Sequence, residues 1–294
     1  MLDEHNVKGI FVPVVTPFLP SGELDLISFQ NYVDGLLKSD IQGLVINGTT
    51  GESPTVSWEE VILLVEAAKE RMQGKRIPII VGTGTNDTAS TLKRTELAGN
   101  IGADAALVVV PYYSRPSQAG IIEHFRMAAQ VGLPVIAYEV PARTGIRLTV
   151  STARNILELD GVIGLKDSTG GPELLTELTR LGSKPVLCGE DANFYAALCA
   201  GASGGILASA NIHTDAFIDV FQLVLHGRVQ EAKITFDRLF PLIQLLFQES
   251  NPAPLKWLLS RQSVITSDTV RLPMTSITRE LQSELEQAIA AMTA

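Results

Sequence analysis

The fold is decided by the stretch Val162-Ile163-Gly164-Leu165-Lys166-Asp167-Ser168-Thr169. An uninterrupted apolar run stops at a lysine, and acid and hydroxyl groups follow. Continuous apolar runs of this length are what strands of a parallel sheet look like when helices cover both faces. Working outward, the same pattern recurs at 9–15, 43–46, 78–81, 105–110, 134–138, 185–188 and 204–207, which makes eight predicted strands. Amphipathic segments separate them. Ser57 and Glu60 have capping-box spacing ahead of an apolar helix, Asp87-Thr88 can cap the next one, and Gly171-Pro172 places proline where a helix begins. Gly74, Gly132, Gly161 and Gly182 stand where helices end. Eight β-α repeats predict an α/β fold, a (β/α)8 TIM barrel over 1–226. From 227 to 294 only helical periodicity remains (229–247, 254–261, 276–292), which predicts a C-terminal helical appendage.

Composition excludes several functions. With 294 residues, 46% of them hydrophobic, the chain can bury a large core. A net charge of −9 and the lack of a dense basic run argue against nucleic acid as a partner. No apolar run reaches membrane-spanning length. Residues 1–8 are polar and lack the apolar segment of a secretion signal, so a cytoplasmic enzyme is expected. Cys188 and Cys199 have no metal or redox spacing and read as buried, reduced thiols. The histidines His5, His124, His213 and His226 are scattered, three of them on expected helices, so no metal site is predicted. No glycine fingerprint opens a helix after the first strand, so no dinucleotide cofactor is expected.

In a (β/α)8 barrel the site lies at the carboxyl ends of the strands. The predicted strands end in Thr16-Pro17, in Asn47-Gly48-Thr49-Thr50-Gly51-Glu52-Ser53, in Gly82-Thr83-Gly84 and in Pro111-Tyr112-Tyr113. The later ones end in Tyr138-Glu139-Val140-Pro141-Ala142-Arg143-Thr144-Gly145, in Lys166-Asp167-Ser168-Thr169 and in Gly189-Glu190-Asp191. Lys166 should rise inside the barrel, where desolvation favours the neutral amine that attacks a carbonyl. The ordinary alternative is a lysine reaching to solvent. Tyr138 and Tyr113 are candidate proton carriers, with simple packing as the alternative. The Gly48–Gly51 loop could hold a carboxylate on its amides, and Arg143 suits bidentate carboxylate recognition. An imine mechanism on Lys166 needs no cofactor.

Val15-Thr16-Pro17-Phe18, Gly48-Thr49-Thr50-Gly51-Glu52-Ser53, Pro111-Tyr112-Tyr113 with Arg115-Pro116, Tyr138 with Val140-Pro141 and Arg143-Thr144-Gly145, and Gly164-Leu165-Lys166-Asp167 resemble the dihydrodipicolinate synthase / N-acetylneuraminate lyase superfamily. The resemblance runs along essentially the whole chain. Asn251-Pro252, Lys256-Trp257 and Arg271-Leu272-Pro273-Met274 resemble its synthase branch. It implies Lys166 as the Schiff-base lysine for pyruvate and Tyr138 as the general acid/base. Thr49 and Tyr113 complete the proton relay, the tyrosine being lent by a neighbouring subunit of a homo-oligomer, a dimer or a dimer of dimers. Thr50, the backbone near Ile206, and Gly189 form the implied pyruvate-binding set, and Arg143 holds the carboxylate of aspartate semialdehyde. The implied reaction condenses pyruvate with L-aspartate 4-semialdehyde in lysine and diaminopimelate biosynthesis. Another lysine-dependent 2-keto acid aldolase, dehydratase or deaminase is the alternative, and a catalytically silent keto-acid sensor is a second. Glu139 stands where the synthase branch carries asparagine, which would place a carboxylate beside the site, adding negative charge near anionic substrates.

Ser53, Asn86 and Tyr112 resemble members of that branch's allosteric lysine site. Trp58, Val61 and Ser90 replace the histidine, histidine and glutamate of lysine-sensitive bacterial members. Without the glutamate a bound α-amino group has no counter-charge. Steady-state assays with added L-lysine are expected to show weak or no inhibition, and inhibition at sub-millimolar lysine would refute this.

Overall fold

The structure, a computed structural model, describes residues 2–72 and 74–293. Eight strands close into one parallel barrel in chain order: β1 (Gly9–Pro13), β2 (Gly43–Ile46), β3 (Ile79–Gly82), β4 (Ala105–Val109), β5 (Val135–Glu139), β6 (Val162–Asp167), β7 (Val186–Cys188) and β8 (Gly204–Ile206). Each lies within two residues of an apolar run in the sequence, and the TIM-barrel expectation is met. The largest difference is at β1, which ends at Pro13. Proline has no N–H for the ladder, and the N–H of Val15 instead donates to Tyr32 Oη at 3.4 Å.

The helices are α1 (Leu26–Leu36), α2 (Trp58–Arg71), α3 (Thr88–Asn100), α4 (Gln118–Ala129), α5 (Pro141–Thr144), α6 (Val150–Leu157), α7 (Glu173–Arg180), α8 (Phe194–Cys199), α9 (Thr214–Leu225), α10 (Val229–Leu246), α11 (Ala253–Arg261) and α12 (Arg279–Thr293). Local chemistry sets their starts. The Ser57 hydroxyl accepts the Glu60 N–H at 3.2 Å while the Glu60 carboxylate accepts the Ser57 N–H at 2.8 Å, a complete capping box on α2. Asp87 accepts the Ser90 N–H at 2.7 Å at the start of α3. Before α7, Pro172 is itself the cap residue, one place ahead of the helix. Among the described residues no helix is long and apolar enough to cross a membrane.

The chain forms two compact units. One runs from the N-terminus to Phe11 and adds Gln42–Val45 and Pro78–Leu207, so it carries β3 to β8. Its core is an apolar cluster fed by every second strand residue: Phe11, Leu107, Ile136, Tyr138, Ile163, Leu187 and Ile206 among them. The other unit takes Val12–Ile41, Ile46–Ile77 and the chain from Ala208 onward. Two expectations need correction. Cys199 is exposed, because α8 is short and turns Phe194, Ala197 and Leu198 inward instead. Of the histidines only His124 lies within a helix, whereas His213 and His226 flank α9.

The second unit is organised by a buried ion pair. Lys256 of α11 is fully buried, and its ammonium donates to Glu52 Oε1 at 2.7 Å and to the Thr16 carbonyl at 2.9 Å. The same ammonium sits 4.2 Å from the centre of the Phe18 ring. Glu52 Oε2 accepts the Arg271 N–H at 3.0 Å. Burial of such a pair contributes little net stability, but removal of one partner strands the other charge without water. Lys256→Met should therefore lower unfolding stability by roughly 3–5 kcal/mol, read from denaturant titration. Adding Glu52→Leu to it should recover part of the loss.

Candidate active site

Parallel pairing places Tyr138 of β5 opposite Lys166 of β6. Tyr138 belongs to the interior cluster, and Lys166 is only 7% exposed. The Lys166 ammonium lies 4.3 Å from the centre of the Tyr138 ring. The lysine stem runs across Gly189, at the end of β7. A methyl group there would come within 2.5 Å of Lys166 Cε and 2.8 Å of Cγ, and would collide with Ser168 Oγ. Glycine at 189 is thus the floor on which the lysine lies. Ser168 is buried beside it, and its hydroxyl has no hydrogen-bond partner among the described residues. The interior therefore joins an amine, a phenol and an uncommitted hydroxyl.

Arg143 lies on α5, the four-residue helix that follows β5, and is exposed. Glu190, just past β7, is half-buried, and its carboxyl is pushed above its ordinary range by burial and then by neighbouring Asp191. The positive charges of Lys166 and Arg143 oppose that shift. One carboxylate thus feels both cations, which groups Lys166, Arg143 and Glu190 electrostatically. Sequence reading passed over Glu190, although its place directly after a strand-end glycine marked it. Ile206 ends β8 within the interior cluster. Tyr113 is not brought inside: the residue is 89% exposed on a loop with left-handed backbone at Tyr113 (φ 68) and Arg115 (φ 47).

Thr49 and Thr50 lie in the other unit, on the loop after β2. Backbone bonds tighten that loop, from Gly51 N–H to Gly48 O and from Glu52 N–H to Thr49 O, both 3.1 Å. Thr16 Oγ1 donates to Gly51 O at 2.7 Å. Thr50 is buried, and Asn251 Nδ2 donates to its hydroxyl oxygen at 3.1 Å. Among the described residues no cluster of three or more His, Cys, Asp or Glu could hold a metal ion.

Glu139 does not face the barrel interior with its neighbour Tyr138, as the strand-end reading expected. Successive strand residues face opposite ways, so Glu139 points to the outer face of β5, opposite Asp167. It is fully buried, and Oε1 accepts the Leu148 N–H at 2.8 Å while Oε2 has no partner among the described residues. Burial pushes its carboxyl up to about 7; the Leu148 bond and Arg147 oppose that, and Asp167 adds to it. The folded chain thus holds a proton that the unfolded chain releases. The associated stability is complete below about pH 4.5 and is lost as pH rises through about 7. Glu139→Gln stays neutral throughout. The wild-type denaturation midpoint should fall between pH 5 and 8.5 by an amount worth roughly 3 kcal/mol, and the variant's should fall much less.

The profile of the dihydrodipicolinate synthetase family matches residues 6–292. A 4-hydroxy-tetrahydrodipicolinate synthase of Herminiimonas arsenicoxydans is 39% identical over 286 residues, covering 96% of this chain and 97% of the relative. Two solved structures superpose closely. The chloride-inhibited dihydrodipicolinate synthase of Acinetobacter baumannii, complexed with pyruvate, gives a TM-score of 0.94 at 35% identity and covers 98% of this chain and 99% of that one. A dihydrodipicolinate synthase variant described as the first monomeric one gives 0.95 at 32% identity, covering 99% and 98%. The chain belongs to the dihydrodipicolinate synthetase family.

Proposed function

We propose that the chain condenses pyruvate with L-aspartate 4-semialdehyde to 4-hydroxy-tetrahydrodipicolinate, a step of lysine and diaminopimelate biosynthesis, through an imine on Lys166. The observation that carries this reading is the buried Lys166 ammonium against the Tyr138 ring in the interior of a barrel of this family. The free amine adds to the ketone carbon of pyruvate, forming a C–N bond, and a proton passes to the former carbonyl oxygen. With a second proton, supplied by Tyr138, that oxygen leaves as water, and the nitrogen lone pair closes the C=N bond. Tyr138, relayed through Thr49 and a Tyr113 supplied by a second subunit, then takes a methyl proton. The cationic imine accepts the electron pair as an enamine, which makes that carbon acidic enough to lose a proton. The enamine carbon attacks the aldehyde, whose oxygen gains a proton and becomes the hydroxyl. Arg143 holds the carboxylate of the aldehyde substrate, and its amino group finally displaces Lys166 to close the ring.

Thr50 and the backbone at Ile206 take the pyruvate carboxylate, and Gly189 serves by letting the lysine lie flat. The exposed, left-handed Tyr113 supports a homo-oligomer, a dimer or a dimer of dimers, in which that ring enters a neighbour's site. A relative's description as the first monomeric variant supports the same reading. We read 1–226 as the catalytic barrel, 227–294 as a helical appendage, and the cytoplasm as the location. Borohydride reduction in the presence of pyruvate should fix a pyruvyl adduct on the peptide bearing Lys166, detected by mass. Absence of that adduct, or an adduct on another lysine, would sink the assignment.

A further inference from the structure

Thr50 has one hydroxyl proton to give and two lone pairs with which to accept. Asn251 Nδ2 occupies one lone pair at 3.1 Å, in a buried setting where Thr50 is 4% and Asn251 8% exposed. The Thr50 O–H itself has no acceptor among the described residues. An amide N–H directed at the oxygen leaves the threonine proton pointing elsewhere, so Thr50 is held as a donor awaiting an acceptor.

The holder is braced. Asn251 lies just ahead of α11, and α11 carries Lys256, whose ammonium bonds Glu52 at the far end of the Thr49-Thr50 loop. The Thr16 hydroxyl ties Gly51 and the Thr16 carbonyl receives Lys256, so the loop and α11 share one anchor. Asn251 and Thr50 therefore cannot drift apart without disturbing a fully buried ion pair.

We propose that Asn251 is a positioning residue that orients the Thr50 hydroxyl as a permanent donor to the carboxylate of the 2-oxo acid. The inference rests on the reading of Thr50 as part of the pyruvate site. A donor fixed before the anion arrives costs no reorganisation when it binds. An amide is suited to the task because it does not titrate, whereas a carboxylate at 251 would reverse the polarity by accepting the Thr50 proton. Glu52, Lys256 and Arg271, which tie the loop to the C-terminal segment, are committed to one another, and Arg271 also to Glu60; Asp268 acts on Lys256, and Glu249, two residues before Asn251, accepts from Thr278.

Asn251→Asp, the same shape with the reversed polarity, is the test. Pyruvate dependence of adduct trapping and of turnover is measured for wild type and variant from pH 5.5 to 8.5. The variant's half-saturating pyruvate concentration should exceed the wild type's by about tenfold or more at pH 8.5, with kcat changed far less. The ratio of the two should shrink as pH falls and the new carboxyl regains a proton to donate. Asn251→Ala should show a smaller rise whose ratio does not vary with pH. It also serves as the reading if the Asp variant fails to fold. A ratio within threefold for both variants at every pH would overturn the proposal, as would an Asp deficit that does not ease in acid. If wild type itself traps no pyruvate on Lys166, the parent reading fails instead, so the two failures are distinct.

Discussion

A parallel sheet keeps two open edges until its last strand meets its first, and here they meet at Gly9 and Gly204. The two are register partners, the Gly9 N–H donates to Ser203 O at 2.9 Å, and the Leu207 N–H donates to Phe11 O at 3.3 Å. Both glycines have positive φ, and a side chain at 204 would drive into the backbone of Gly9. At this pair neither position has room for a Cβ: on 204 it would meet Gly9 O at 2.0 Å, and on 9 it would meet the Gln42 side chain at 2.2 Å. Closure removes the unpaired edges and creates an interior that side chains fill. The burial of Lys166 against the Tyr138 ring follows from that interior.

Within a closed barrel the pleat divides neighbours in sequence into different chemistries. Tyr138 and Lys166 face inward together, and Glu139 and Asp167 face outward together, in the same register. Strand positions were plain in the sequence because buried parallel strands are apolar on both faces. That same uniformity hides which face is which. A pattern with no polar side to mark cannot tell that Glu139 turns its carboxyl toward Leu148 while Tyr138 turns its ring toward the lysine. Reading by adjacency put the acid in the site; period-two geometry takes it out.

Other features were legible in proportion to how local their physics is. The Ser57–Glu60 capping box and the Asp87 cap need only residues three apart, and both formed as expected. The strand-end lysine, tyrosine and paired threonines were visible because a barrel's topology assigns function to one end of every strand. The contact of Asn251 with Thr50 spans 201 positions, and Lys256 reaches Glu52 across 204. No periodicity or cap links such pairs, so only the folded chain shows them. The exposure of Cys199 was missed for a related reason: apolar neighbours indicate a helix near the core, not which of its faces a given residue occupies.

Two of the features that sequence reading did not place, Glu139 and Asn251, share a physical logic. Glu139 is an acid set behind the strand, where its proton exchanges against the stability of the fold. Asn251 is an amide set behind a loop, where a titrating group would invert the hydroxyl it supports. A carboxyl can be tolerated on the outer face of β5 because its charge state there changes only what surrounds Leu148 and Asp167. Behind Thr50 the same change would turn a donor into a spent one, since a carboxylate has only lone pairs to offer. With Thr50 read as a carboxylate donor, its neighbour Asn251 keeps one polarity at every pH, whereas the ionisable Glu139 lies on the outer face of β5, opposite Asp167.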